Sequence, residues 1–164
     1  MKQYVLDTSA LISGLFNLAD SKFYIPDSVV GEIQHGNLPM FMESISSSLN
    51  ILSPSRANVE AVKRKANSTG DLQKLSQTDI DVIALALETS SAVLSDDFAI
   101  QNVCSSLGIE FVPATIRPIS DQVRWAGRCS GCGKNYSSTS GTCVICGHSI
   151  RRVRKKSNKI QVFV

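Results

Sequence analysis

Four cysteines near the C-terminus have the spacing that most narrowly limits their chemistry. Cys129-Ser-Gly-Cys132-Gly133 and Cys143-Val-Ile-Cys146-Gly147 are two CxxC pairs separated by ten residues. Each pair can offer two thiolates to one tetrahedral zinc ion, and the glycine after each second cysteine permits the tight turn that aims backbone amides at the sulfurs. The spacer is shorter than the ~15 to 20 residues common in such sites. It predicts a compact ribbon whose strands are joined by the Ser/Thr/Gly-rich turn at 137–142. Two disulfides or free thiols are the alternatives. The run Met1-Lys2-Gln3-Tyr4-Val5-Leu6-Asp7 is too short for a signal peptide, so a reducing, cytoplasmic setting is expected and zinc is preferred. The fifth cysteine, Cys104, reads as a small core residue on a helix.

The second chemistry is carboxylate. Asp7 ends an apolar run, Asp96-Asp97 follows Ala92-Val93-Leu94-Ser95, Glu32 lies in Val29-Val30-Gly31-Glu32-Ile33, and Asp79 follows Leu75-Ser76-Gln77-Thr78. Ligands of open α/β sheets bind beyond the carboxyl ends of strands. Acids converging there would repel one another unless divalent cations neutralised them, and oxygen ligands suit Mg²⁺ or Mn²⁺. Capping is the structural alternative: Asp7, Asp96 or Asp97 could each cap a following helix, and both Ser76-x-x-Asp79 and Thr78-x-x-Asp81 fit a capping box. Asp81 is a reserve candidate, turned about 200° from Asp79 on a helix.

Position in the chain divides the charge. Residues 1–121 hold all fourteen carboxylates against eight lysines and arginines, a net −6, whereas residues 122–164 hold nine lysines and arginines and no acid, a net +9. An acid-free module with Arg124, Trp125, Arg128, Lys134, Tyr136, Arg151, Arg152, Arg154, Lys155 and Lys156 has the cations and stacking groups of an RNA-binding surface. A solvated basic tail is the bland alternative. No run approaches the ~18 apolar residues of a membrane span, so no membrane partner is expected.

These residues need elements to hold them. Short β-branched runs alternate with helical patterns over the first 115 residues, predicting an α/β domain with a mainly parallel sheet. Strands are expected at 4–6, 23–25, 92–94 and 110–112. Helices are expected at 10–19, from Pro26 through His35, and at 40–49, 56–66, 79–88 and 98–107. The division is a first domain over 1–114, a proline-containing linker over 115–122 and the ribbon with its basic end over 123–164.

Val5-Leu6-Asp7-Thr8-Ser9-Ala10-Leu11-Ile12, Val29-Val30-Gly31-Glu32-Ile33, Leu75-Ser76-Gln77-Thr78-Asp79 and Leu94-Ser95-Asp96-Asp97, in that order, resemble the PIN-domain nuclease pattern. With the ribbon, Asp97-Phe98-Ala99-Ile100-Gln101-Asn102-Val103 and Cys146-Gly147-x-x-x-Arg151-Arg152-Val153 resemble the Nob family of ribosome-assembly endonucleases, over nearly the whole chain and closest to its archaeal members. The resemblance implies a PIN domain and a metal-dependent single-strand RNA endonuclease that matures the 3′ end of small-subunit (16S) rRNA within a pre-ribosomal particle. It assigns Mg²⁺ or Mn²⁺ to Asp7, Glu32, Asp79 and Asp97, with Asp96 as an outer member. A PIN toxin-like RNase and a non-catalytic RNA-binding assembly factor are the competing readings.

Overall fold

The computed structural model describes residues 2–13, 21–34, 49–114 and 124–155. Strand β1 (Lys2–Leu6) ends in fully buried Val5 and Leu6, and β4 (Ala92–Leu94) is buried along its length. Continuous burial of this kind marks a parallel sheet covered on both faces. With β2 (Ser21–Pro26), β3 (Leu49–Leu52) and β5 (Phe111–Val112) they form one sheet of order β3-β2-β1-β4-β5, every described pairing parallel. The chain runs outward from β1 on one side and returns through β4 on the other. The crevice where strand order reverses therefore opens at the C-terminal ends of β1 and β4.

Around the sheet lie α1 (Thr8–Ser13), α2 (Asp27–Gln34), α3 (Arg56–Thr69), α4 (Gln77–Thr89) and α5 (Phe98–Leu107), with a 3-10 turn at Leu72–Lys74. Helix α4 is the centre of the core: Val82, Ile83, Ala84, Leu85 and Ala86 are all buried, and it meets β1, β2, β4, α2, α3 and α5. An apolar helix surface of this width requires neighbours on several sides. The Ser76/Asp79 capping box starts α4, with Asp79 N–H donating to Ser76 Oγ at 3.1 Å. Among the described residues, no helix is long and apolar enough to cross a membrane.

Two sequence expectations are corrected. Pro26 closes β2, paired with Leu52, and the helix begins at Asp27. Leu49, expected to end a helix, opens β3 beside Phe23, because an edge strand there completes the sheet. Helix α3 runs to Thr69 and α4 spans Gln77 to Thr89, each longer than its apolar pattern indicates. The rest of the expected helices at 10–19 and 40–49, His35 and the linker at 115–122 lie outside the described residues.

The second sheet is antiparallel, β7-β6-β8, built from β6 (Arg124–Cys129), β7 (Asn135–Tyr136) and β8 (Ile150–Lys155). It seats on the end of α3 at Gly70. That glycine caps α3 in the left-handed region (φ 79°), and a Cβ there would lie 2.8 Å from Trp125 Cβ. Both the helix stop and the close approach of β6 therefore require glycine.

Candidate active site and metal centre

Asp7 leaves β1 with its main chain still in the sheet, its N–H donating to Leu94 O at 3.1 Å. Its carboxylate is 6% exposed and accepts three hydrogen bonds: Thr8 N–H to Oδ1 at 2.6 Å, and the hydroxyls of Ser9 and Ser95 to Oδ2 at 2.7 and 2.8 Å. A buried ionised carboxylate requires such donors. Ser95 also accepts from Asp97 N–H at 3.1 Å, so one hydroxyl ties the ends of β1 and β4 together. Fully buried Gln101 donates to Ser95 O at 2.9 Å and fixes that loop from below.

Asp97 caps α5 through Oδ1, accepting from Ala99 N–H at 2.6 Å and Ile100 N–H at 3.2 Å. Glu32, exposed on α2, accepts from the Thr8 hydroxyl at 2.8 Å, which brings α2 to the same crevice. Asp79 Oδ2 accepts from Ser76 N–H at 2.7 Å. Burial pushes the Asp79 carboxyl up, its bonds to Ser76 oppose the shift, and the charges of Asp7 and Asp97 raise it further. Asp7 and Asp97 are thus joined through the Ser95 hydroxyl, Glu32 and Asp7 through the hydroxyl and the N–H of Thr8, and Asp79 meets the charges of Asp7 and Asp97. Asp96 accepts from Ala114 N–H at 2.9 Å, beyond the end of β5, and Gln77 donates to Asp81 at 2.7 Å. Sequence reasoning passed over Ser95 and Gln101, whose partners lie across the fold or on the backbone.

The four cysteines form a tighter cluster. Among the described residues, theirs is the group whose ligand atoms all lie within 4.8 Å of one another, with Sγ separations of 3.3 Å for Cys129–Cys146 and 3.6 Å for Cys132–Cys143. Four thiolates at the ~2.3 Å zinc–sulfur distance would stand about 3.8 Å apart, so the cluster fits a zinc ribbon. Gly131 N–H donates to Cys129 Sγ at 3.3 Å, as the turn predicts. The Tyr136 hydroxyl lies 2.9 Å from Cys143 Sγ and holds that thiol down at about 5, while the phenol is pushed up to about 12 by the same contact. Lys134 N–H favours the Cys132 thiolate, but the neighbouring sulfurs outweigh it and push that thiol up to about 11. Such a set ionises fully only around a cation.

The register of β6 and β8 sorts the basic residues. Arg124 faces Lys155 and Arg128 faces Arg151 across the strand pair, and all four are exposed. Alternation puts these two like-charge pairs on one face, where opposed cations repel unless an anion lies between them. Trp125 and Arg152 turn the other way, toward the first domain. The Arg152 guanidinium stacks 4.1 Å from the Trp125 ring centroid and pairs with Asp71, which is 2% exposed and also accepts from Asn102. Arg154 is exposed, Lys134 sits 5.8 Å from the Tyr136 ring, and Lys156 lies outside the described residues.

Residues 4–89 match the family described as PIN domain of ribonuclease, and residues 63–120 match PINc domain ribonuclease. The VapBC2 structure from Rickettsia felis, solved bound to a promoter DNA fragment, shares the fold at TM-score 0.52 and 12% identity, over 68% of this chain and 98% of that one. The parallel sheet, its acidic switch point and these matches define a PIN-type α/β ribonuclease domain, here joined to a four-thiolate ribbon. Among curated relatives, the endoribonuclease Nob1 of Pyrococcus abyssi is 34% identical over 93% of this chain and 94% of its own length. That of Methanocaldococcus jannaschii is 35% identical over 96% and 80%. The ribonuclease VapC1 of Thermoplasma acidophilum is 42% identical over 91% and 77%. The chain belongs to the Nob1 family of PIN-domain endoribonucleases.

Proposed function

We propose that the protein cleaves single-stranded precursor RNA at the 3′ end of small-subunit (16S) rRNA during ribosome biogenesis in the cytoplasm, acting within a pre-ribosomal particle. The observation that carries this reading is the gathering of Asp7, Glu32, Asp79 and Asp97 at the β1/β4 switch point, in a chain similar throughout to Nob1 endoribonucleases. These acids would hold Mg²⁺ or Mn²⁺; they come from the ends of β1 and β4, from α2 and from the start of α4, and among the described residues no lysine or arginine is a hydrogen-bond partner to them.

When bound, the cation would activate water and neutralise charge growing on the scissile phosphate. The chain's own part is positioning. Ser95 sets the separation of Asp7 and Asp97, Thr8 draws Glu32 toward Asp7, and the Ser76 cap fixes Asp79. Cleavage leaves 5′-phosphate and 3′-hydroxyl ends. The zinc-bound ribbon presents Arg124, Arg128, Arg151 and Lys155 to the RNA backbone.

The higher identity to the ribonuclease named VapC1 favours a second reading, an RNA substrate other than rRNA. The alignment covers 91% of the chain and so runs through the segment from Cys129 to Cys146, which leaves cleavage as the test between the two readings. The test is cleavage of a small-subunit rRNA fragment spanning the mature 3′ end, beside an unrelated RNA of equal length, with Mn²⁺ or EDTA. A discrete cut in the rRNA fragment, lost in EDTA and lowered at least ~100-fold by Asp7→Asn, is expected. Equal cutting of both RNAs favours the second reading, and no cut by folded, zinc-loaded protein within the assembled particle overturns both.

A further inference from the structure

A cavity of about 390 Å³ runs from Asp97 to the junction with the ribbon, lined by Asp71, Lys74, Phe98, Asn102, Trp125 and Arg152. Phe98 follows the candidate catalytic Asp97 in sequence and is 54% exposed, an unusual position for an apolar ring at the start of a helix that buries Ile100, Gln101 and Val103. Across the cavity, Trp125 is held by the Arg152 guanidinium at 4.1 Å, and Lys74 Nζ stands 5.8 Å from the indole centroid. Arg152 Nε is buried and, among the described residues, has no hydrogen-bond partner.

We propose that this cavity is a nucleotide subsite, holding one unpaired residue of the RNA next to the cleaved bond, its base stacked on Phe98 and its phosphate met by Lys74. The inference rests on the reading of Asp97 as part of the cleavage site. Four features select this occupant. The volume is at the small end of the ~300 to 1,000 Å³ range of ligand cavities, which admits one nucleotide and excludes a duplex. An exposed ring, Phe98, in the same cavity as a lysine is the arrangement that binds single-stranded nucleic acid without reading its sequence. The acid inside the cavity, Asp71, is already neutralised by Arg152, so Lys74 is left to meet a phosphate. The cavity also ends at Asp97, so a base held there puts its adjoining phosphodiester at the carboxylates.

Trp125 is the chain's single tryptophan, so the emission of the full-length, zinc-loaded protein reports on the surfaces its ring lines, this cavity and the neighbouring one at Gly70 and Tyr136, and the Phe98 and Lys74 variants tell the two apart. A short fluorescein-labelled single-stranded oligoribonucleotide is titrated without added Mg²⁺ or Mn²⁺, following its anisotropy and the Trp125 emission together. Binding should change the emission, and Phe98→Ala should raise Kd about fivefold to a hundredfold, the range of one base–aromatic stack. Phe98→Tyr should restore affinity and Phe98→Leu should not, which separates stacking from general apolar contact. Lys74→Ala should lower the salt slope by about 0.7, one phosphate on a single strand. Oligonucleotide binding with unchanged Trp125 emission, or wild-type Kd in Phe98→Ala, overturns the subsite. If wild type then cuts with Mn²⁺ while Phe98→Ala keeps its Kd and KM, the subsite falls and the nuclease reading stands. Weakened binding in Phe98→Ala by a protein that never cuts leaves the subsite and removes the nuclease reading.

Discussion

At the scale of single residues, the two interpretations of the acidic positions prove compatible. Asp97 caps α5 with Oδ1 and Asp79 completes a capping box with Oδ2, yet both also feel the crevice at the end of β1. A carboxylate has two oxygens and several lone pairs, so a cap can hold the group in place while it serves another purpose. The caps expected at Ser76-x-x-Asp79 and at Asp97 are present, whereas Thr78-x-x-Asp81 gives way to the box that starts at Ser76; neither cap could decide the matter, because a cap says nothing about what faces the second oxygen. Ser95 shows the opposite failure: its bonds to Asp7, 88 residues away, and to Asp97 leave no local signature. Ser95→Ala should lower kcat about tenfold with little change in KM, since it loosens two carboxylates without touching RNA. It should cost about 1 to 3 kcal/mol of stability through the orphaned Asp97 N–H. Steady-state kinetics beside urea unfolding would check both, and a fall in KM-dependent terms alone would contradict the positioning role.

Among the elements, the helices are joined by polar ties that have measurable consequences. Glu88, on the last turn of α4, accepts from Ser55 N–H at 2.8 Å and Asn58 Nδ2 at 3.0 Å, binding the start of α3 to the end of α4. The Ser55 amide, and after it Asn58, holds the Glu88 carboxyl below its ordinary 4.5. A carboxyl lowered by folding contributes stability above its ordinary value and loses it as pH falls through the lowered value. Glu88→Gln should therefore lose less stability than wild type on acidification below pH 4.5. The group is exposed, so the difference is under about 1 kcal/mol. Thermal melts of both proteins across that range give the comparison, and parallel curves would remove the tie. In the ribbon, the β6/β8 register puts Arg124, Arg128, Arg151 and Lys155 on one face. Replacing all four by alanine should lower the RNA-binding salt slope by up to about 3, at ~0.7 per phosphate lost, with zinc content unchanged. Unchanged slopes would put the RNA elsewhere.

For the whole molecule, the decisive contact is the buried pair between the two sheets. Asp71 lies in the turn after α3 and Arg152 on β8, with Trp125 stacked against the guanidinium and Gly70 admitting the strand. Breaking one side of a buried pair leaves an uncompensated charge and costs about 3 to 5 kcal/mol, whereas removing both costs much less than the sum. Asp71→Ala and Arg152→Ala should each destabilise strongly, and the double variant should recover about 1 to 3 kcal/mol of coupling in denaturant unfolding. Additive losses would mean that the pair does not hold the ribbon. The same pair predicts that deleting residues 123–164 destabilises the first domain, because Asp71 would lose the cation it pairs with and the Trp125 contact beside it.

The sequence determined whatever depends on neighbours a few residues apart. The two CxxC pairs specified a thiolate cluster, the alternation of apolar runs specified a parallel α/β sheet, and Ser76-x-x-Asp79 specified where α4 starts. β3 escaped because four residues at a sheet edge carry too little periodicity to stand out from a helix end. Only the tertiary structure decided which basic residues face outward. Arg151 and Arg152 are adjacent in sequence and alike in chemistry, yet one lies on the exposed face and the other is paired with Asp71. A strand sends successive side chains to opposite faces, and the docking of β6 against Gly70 fixes which of those faces meets the catalytic domain.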